Sequence, residues 1–456
     1  MKIRTMTTIL ICRATRWILR KLGTGGTNVP GTLALKLYPQ IMQVLSEHMT
    51  VIIVTGTNGK TTLTRMIEKS LQESGIVYFT NKSGANMETG IATEFIMNSS
   101  LTGKNLCTHA LLECDELAFR TVSKYVNAQY IVVTNIFRDQ LDRCGEITYT
   151  LASILESIQN STNATVCLNA DCSLSTSMVG SFDNKTIFFG MECPIYQNAV
   201  EELSDAPYCI KCKTEYVYDF VTYGHLGKFH CPNCGYKRQD PTIAVEKVHE
   251  ITPDYSIVDM RLDDQQYTVK INLPGGYNIY NAAAAACVGY AMNLDHDVIV
   301  RSLNQFQCGF GRMEKLTIND TILRMILVKN PAGCNQVLNF LCDTKEPSLF
   351  VIALNDRYAD GTDISWIWDV NFEKLLLMED HLTKILVTGI RADDMALRLK
   401  YADIPTDKIT VMKDYDQLIN YMANQDLPVY LMPTYTAMLD IRGKISKTFN
   451  INEFWE

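Results

Sequence analysis

Three short stretches of this 456-residue chain carry residue types at spacings that do chemistry. The first is VIIVTGTNGKTT at 51–62, an apolar run leading into Gly56, Thr57, Asn58, Gly59, Lys60, Thr61 and Thr62 and then into the helical segment LTRMIEKSL. Glycines let the backbone turn tightly, so that successive N–H groups and a helix N-terminus face an anion. Lys60 adds a point charge and Thr61 a hydroxyl for Mg²⁺. The pattern predicts a nucleotide site. It is shorter than the general GxxxxGK[ST] loop, because Val54 stands where the first glycine would be.

The second stretch is a pair of cysteine knuckles, Cys209 with Cys212 and Cys231 with Cys234, separated by an 18-residue gap. Two such C-x₂-C turns place four thiolates around one ion, with the spacing of a zinc ribbon. Four sulfur ligands leave no open position for water, which predicts structural Zn²⁺. Lys211, Lys213, Lys228, Lys237 and Arg238 are interleaved with Glu215, Asp219 and Asp240, a solvated mixed face. The formal net charge of −8 also lacks the basic footprint that phosphate backbones demand, so nucleic acid is not expected as a partner.

The third is ADGTDISWIWD at 359–369, with Asp360, Asp363 and Asp369 beside Trp366 and Trp368, two of the chain's four tryptophans. On residue types alone the tryptophans suit a core or an interface equally.

The elements that must hold these stretches repeat a strand-then-helix order. VIIVTG at 51, ALLE at 110, YIVVTN at 130, TVCLNA at 165 and TIFFG at 186 read as strands, which predicts an α/β fold with a parallel sheet. The polar, Tyr- and Cys-rich character around 200–240 reads as an insertion. From about 345, SLFVIALND, KILVTG and PVYLMPT suggest a second α/β domain. The expected division is a basic helix and linker over 1–48, a central ATP-binding domain over 49–315 with the ribbon at about 205–240, and a C-terminal α/β domain over 316–456. Residues 1–22 carry Lys2, Arg4, Arg13, Arg16, Arg20 and Lys21 without an acid, at a spacing that predicts a basic amphipathic helix, packed on its own domain or touching a membrane surface. GTGGTNVPG after it reads as a turn-rich linker. With 47% apolar and 20% charged residues, fifteen cysteines and no secretory signal, the expected compartment is the cytoplasm.

TGTNGKTT resembles the ATP loop of the Mur ligase and folylpolyglutamate synthase superfamily, whose members phosphorylate a carboxylate and let an amine displace the phosphate. Further segments are similar to that family in order. ALLECDE ends a strand on Glu113, TNIFRDQLDRCGE matches an asparagine followed by a DHxDR segment, GGYNIYNAAAAA carries Asn278 and Asn281, and GFGRME supplies Arg312. The resemblance implies ATP with Mg²⁺ held through Thr61 and Glu113, Lys60 and Arg312 on the phosphates, Asn278 and Asn281 beside the nucleotide, and Asn86 of SGANMETG in the cleft. It also has departures. Gln140 stands in place of a metal-binding histidine, the lysine that other members carbamylate has no counterpart, Glu156 is the candidate to supply that charge, and the domain that grips a UDP-sugar is missing.

KNPAGCN (329–335), LNDRYADGTDISWIWD (354–369) and VTGIRADDMALRLKYA (387–402), with the ribbon and GTNVPG, are similar to the MurT-type ligase subunits of lipid II isoglutaminyl synthases. This resemblance implies a GatD-type glutamine amidotransferase as partner, with ammonia passed to an acyl phosphate made from the α-carboxyl of D-glutamate in the lipid II stem peptide. It assigns Asp363 the role of an acid lent to the partner's histidine, with Asp360 as rival and Trp366 and Trp368 as interface anchors. The catalytic set is then Asp363, Glu113 and Lys60. Two other readings compete: a self-sufficient amino-acid ligase of the folylpolyglutamate type, and a zinc-ribbon binding protein that uses ATP as a switch.

Overall fold

The β-branched run Thr50–Thr55 forms strand β1, which is buried on both faces from Val51 onward, as expected where helices cover both sides of a parallel sheet. In the computed structural model, residues 2–22, 26–81, 85–138, 147–195, 204–307, 312–342, 346–378 and 381–451 are described. β1 pairs in parallel with β3 (His109–Glu113) on one side and β4 (Tyr130–Val133) on the other. The parallel run continues outward through β2 (Tyr78–Thr80) beyond β3, and through β5 (Thr165–Asn169), β6 (Thr186–Met191) and β9 (Ile243–Ile251) beyond β4. β10 (Ser256–Leu262) and β11 (Gln265–Ile271) then add antiparallel strands to complete nine. β10 alternates buried and half-buried residues, the signature of a sheet with one covered face. β1 lies where the crossovers leave in opposite directions, so its C-terminal end opens into the crevice where such sheets bind ligands.

The insertion between β6 and β9 holds the hairpin β7 (Val217–Tyr223) and β8 (Leu226–His230), closed by Gly224 at φ +54°. Its small core is Tyr216, Phe229 and Tyr236 around Cys209 and Cys231.

The N-terminal region differs from the expected helix and linker. Helices Lys2–Lys21, Val29–Leu37 and Ile41–Ser46 follow one another, so the closing VPG of GTGGTNVPG is helical. Pro30 sits in the first turn, where its missing N–H costs nothing. Gly31 is there for contact: a Cβ would collide with the carbonyl of Thr89 on helix Glu88–Met97.

The second sheet has the order β12-β13-β17-β14-β15-β16. Its strands are β12 (Arg312–Ile318), β13 (Thr321–Ile326), β14 (Ser348–Ala353), β15 (Leu382–Thr388), β16 (Ile409–Val411) and β17 (Val429–Pro433). All neighbours pair in parallel except β12 with β13. This sheet begins at Arg312, slightly before the expected boundary. Each face carries its own apolar cluster, one around Phe350, Phe372 and Tyr430 and the other around Leu431, Ile441 and Ile445.

Candidate functional site

The loop after β1 turns on two glycines in the left-handed region, Gly56 at φ +112° and Gly59 at φ +88°. Neither tolerates a side chain. A Cβ on Gly56 would collide with Thr134, and one on Gly59 with the Asn281 side-chain oxygen. The loop is pinned to the segment after β4, where Thr57 N donates to Asn135 O at 2.9 Å and Asn58 N to Asn135 Oδ1 at 3.0 Å. Thr57 Oγ1 accepts from Phe137 N at 3.0 Å. Helix Lys60–Glu73 starts directly behind it.

Lys60 is buried, and its Nζ donates to Gly56 O at 2.6 Å and Thr57 O at 3.3 Å and pairs with Glu116 Oε1 at 2.7 Å. Burial raises the Glu116 carboxyl above its usual range, with the Lys60 charge opposing the rise. Glu116 was not singled out in the sequence, although it stands three residues past Glu113 in ECDE.

A cavity opens directly beside the loop. Asn58, Gly59, Asn135, Asn278 and Asn281 line one side. Asn281 Nδ2 donates to Asn278 Oδ1 at 3.0 Å, and Asn278 Nδ2 to Pro274 O at 2.7 Å, so the two asparagines are oriented as a pair at the start of helix Tyr277–Ala291. The C-terminal domain supplies the opposite wall with Lys329 and Asn330. Asn330 Nδ2 donates to Asn58 Oδ1 at 3.0 Å, which ties the two domains together across the cavity.

The ribbon hairpin supplies a further wall residue that no local sequence signal marks, Tyr223. Its ring stacks on Phe137 with centroids 5.6 Å apart and meets Tyr280 edge-on at 5.6 Å. Next to it, Thr222 and Tyr280 share a 2.7 Å hydroxyl bond, and Tyr280 donates to Asp171 Oδ2 at 2.6 Å. Asp171 is fully buried against Arg238 at 2.5 Å; burial raises its carboxyl and the guanidinium opposes that rise. Arg238, counted in sequence among solvated charges, is therefore an internal tie between ribbon and sheet.

Glu113 closes β3 and is 6% exposed. Its backbone is held by Asn81 on both sides, N–H to Oδ1 at 2.9 Å and C=O from Nδ2 at 2.7 Å. Its carboxylate has no hydrogen-bond partner among the described residues, which suits a group that ligates a hard cation. Thr61 and Thr62 lie in the first turn of the helix behind the loop. Asn86 is half-buried and its carbonyl accepts from Asp115 N at 3.0 Å. Glu156 is on the flank, in a 2.6 Å ion pair with Arg120 and 37% exposed, while Glu116 is the acid that reaches Lys60. Arg312 opens β12, but its side chain lies outside the described residues, as does Gln140.

The four cysteine sulfurs come together within 4.8 Å of one another. Cys209 Sγ is 3.6 Å from Cys234 Sγ and Cys212 Sγ 3.4 Å from Cys231 Sγ. This is a donor set that fits one tetrahedral ion.

In the third stretch the two candidate acids have different surroundings. Asp360 is buried and accepts from Thr436 N at 2.7 Å, Thr436 Oγ1 at 2.5 Å and Arg357 N at 3.1 Å. Asp363 is half-buried; its Oδ1 accepts from Ser365 N at 2.8 Å, opening the short helix Ser365–Asp369. The tryptophans divide the two roles between them. Trp366 packs on the core around fully buried Ile367, and Trp368 is 48% exposed with its ring edge-on to Tyr401 at 5.5 Å.

The profile of the Mur ligase middle domain matches residues 54–289, and that of the MurT ligase C-terminal domain matches 327–438. Among curated relatives, the lipid II isoglutaminyl synthase (glutamine-hydrolyzing) subunit MurT of Streptococcus pneumoniae is 36% identical over 97% of each chain. Its namesake from Staphylococcus aureus is 32% identical over 98% of this chain and 99% of its own. Among solved structures, a pseudomurein peptide ligase type C from Methanothermus fervidus aligns with a TM-score of 0.68 at 22% identity, over 90% of this chain and 81% of that one. Folylpolyglutamate synthase from Mycobacterium tuberculosis, complexed with ADP and AMPPCP, aligns at 0.62 and 14% identity over 92% and 94%. These last two share the fold. With the P-loop cavity, the cysteine cluster and the C-terminal acid segment all in one full-length match, the chain belongs to the MurT family of Mur ligase-type proteins.

Proposed function

We propose that this chain is the carboxylate-activating subunit of a lipid II isoglutaminyl synthase: it amidates the α-carboxyl of D-glutamate in the lipid II stem peptide, using ammonia from a GatD-type glutaminase. The observation that carries this reading is the match to MurT over 97% of both chains. The free-carboxylate setting of Glu113 and the half-buried position of Asp363, with Oδ1 bonded among the described residues only to a backbone N–H, support it.

ATP with Mg²⁺ supplies the phosphoryl group that turns the substrate carboxylate into an acyl phosphate. Ammonia then forms the C–N bond and phosphate leaves with the C–O electron pair. The chain's own residues bind and orient. Thr61 and Glu113 would hold the cation, the loop Gly56–Thr62 would wrap the phosphates with the backbone N–H groups of Gly59–Thr62 and with Lys60, with Arg312 beside them, and Asn278 and Asn281 would lie beside the nucleotide. Zn²⁺ on Cys209, Cys212, Cys231 and Cys234 would brace the ribbon.

Asp363 would accept the N–H of the partner's catalytic histidine and stabilise its charged form, as a third member orients the base in such centres. Trp368, with Tyr401 (68% exposed) and Leu397 (48% exposed), forms an apolar strip suited to the partner contact. Among the described residues no helix is long and apolar enough to cross a membrane.

The test is to incubate the chain with its glutaminase subunit, ATP, Mg²⁺, glutamine and lipid II, and weigh the product. Amidation replaces O–H by N–H₂ and makes the product slightly lighter. A self-sufficient amino-acid ligase would make it heavier by a whole residue, and an ATP-driven binding protein would leave it unchanged.

A further inference from the structure

We infer that the N-terminal helix Lys2–Lys21 is a membrane-surface anchor that lies in the headgroup region of an anionic bilayer. This rests on the proposed substrate being lipid-linked, and it assigns the contact to a defined face.

The helix has two faces. Thr5, Thr8, Ile9 and Cys12 are buried against the protein, each 2% exposed or less. On the other side Ile3 (79%), Met6 (42%), Leu10 (60%), Trp17 (60%), Ile18 (50%) and Leu22 (71%) face outward. At 1.5 Å per residue this makes an apolar stripe of about 30 Å. Scattered exposed leucines need no explanation, but a continuous stripe along one helix does.

The stripe cannot roll inward. Arg4 donates to Leu37 O at 2.7 Å, Arg13 Nη2 to the carbonyls of Ile96 and Ser99, and Arg16 pairs with Glu94 at 3.4 Å. These three cations clamp the helix on its inner side. Arg20 and Lys21 remain exposed at its end, and the Lys21 ammonium sits 4.1 Å over the Trp17 ring. A tryptophan beside an exposed lysine at the edge of an aliphatic stripe suits the boundary between acyl chains and headgroups.

Charge selects a lipid surface as the occupant. The helix has cations and no acid, in a chain whose formal net charge is −8. An anionic surface is therefore attracted at this end, against the sign of the chain as a whole. The clamp also links the surface to the chemistry. Glu94 and Ile96 belong to helix Glu88–Met97, which begins just after Asn86, whose carbonyl holds Asp115 between Glu113 and Glu116. A bilayer under the N-terminal helix would present its headgroup-linked peptides two elements away from the phosphate loop.

The experiment is flotation of the full chain with vesicles of phosphatidylcholine alone or mixed with phosphatidylglycerol. Binding is expected on the anionic vesicles, weakening as salt rises. The double variant Leu10→Glu/Trp17→Glu should lose it by more than about tenfold, with nucleotide affinity unchanged as the control for folding. Leu10→Ile/Trp17→Phe should retain it. Failure of the wild type to float, or equal flotation of the charged variant, overturns the proposal. So does an effect of the charged variant confined to self-association or to glutaminase binding, because the face would then be a protein interface. The functional reading is judged separately. If the charged variant amidates detergent-dispersed lipid II normally but lipid II in vesicles slowly, both stand; if the wild type amidates neither, the functional reading fails while flotation still decides the anchor.

Discussion

Lys60 and Glu116 form a buried ion pair, Nζ to Oε1 2.7 Å, directly behind the phosphate loop. The lysine that a P-loop offers to phosphate is therefore neutralised from the protein side before any ligand arrives. Removing one member of a buried pair strands the other charge. Glu116→Gln should lower the melting stability of the nucleotide-free protein by on the order of 2 kcal/mol. Saturating ATP and Mg²⁺ should recover most of that loss, because phosphate oxygens then take the ammonium. Differential scanning fluorimetry with and without nucleotide measures both; an identical deficit in the two states would show that phosphates do not reach Lys60.

Tyr223 carries the ribbon into the nucleotide cavity, so the ribbon's metal should be felt by the nucleotide. Tyr223→Ala should weaken ATP-analogue binding by about tenfold, the scale of one lost aromatic contact, and Tyr223→Phe should leave it nearly intact. Stripping the metal with a chelator should act in the same direction, since it frees the hairpin whose Thr222 bonds Tyr280. Calorimetric titration with the chain alone is sufficient. Unchanged affinity after metal removal would separate the ribbon from the site.

The strands were legible because they are fully buried: VIIVTG, YIVVTN and SLFVIALND read as apolar runs with no competing period. The loop was legible because its glycines, lysine and threonines sit in consecutive positions. What escaped were residues brought in from far along the chain. Nothing around Tyr223 distinguishes it locally, and Asn330 lies in the marked stretch KNPAGCN with no role that its neighbours reveal; each becomes a wall only when an insertion or a second domain folds against the loop. Arg238 reads as a surface charge because its partner Asp171 is 67 residues away. The helical end of the turn-rich linker is hidden for the opposite reason, since Pro30 and Gly31 look like breakers but serve as a helix start and a helix contact.

His225, at the tip of the ribbon hairpin, is fully buried with its ring 4.5 Å from Phe137, and burial pushes its pKa down to about 3. Above an unfolded pKa near 6.5 the ring is neutral in both states and its contribution is intact. As pH falls below that value the unfolded chain takes up a proton that the folded one refuses, so stability is lost progressively down to about 3. Urea unfolding at pH 7.5 and 5.5 should therefore cost the wild type on the order of 1 kcal/mol more than His225→Phe. Equal losses would mean the ring is accessible to protons in the folded state.

Asp360 and Asp363 should separate cleanly by what they disturb. Asp360→Asn weakens two bonds that hold the 357–360 turn to Thr436 and one, from Arg357 N, within the turn, and a loss of about 1–3 kcal/mol is expected in thermal unfolding. Asp363→Asn keeps its Ser365 cap through the amide oxygen and should melt with the wild type. The reverse ranking would exchange their roles.

In the proposed function this chain both activates a carboxylate and lends an acid to its partner's glutaminase centre. The most direct measurement is lipid II amidation by the complex carrying Asp363→Asn, run in parallel with glutamine and with ammonium chloride as nitrogen source. The account predicts that glutamine-driven turnover falls by about a hundredfold or more while ammonium-driven turnover stays at the wild-type rate. Glutamine-driven turnover at the wild-type rate, or an equal fall with both sources, would contradict it.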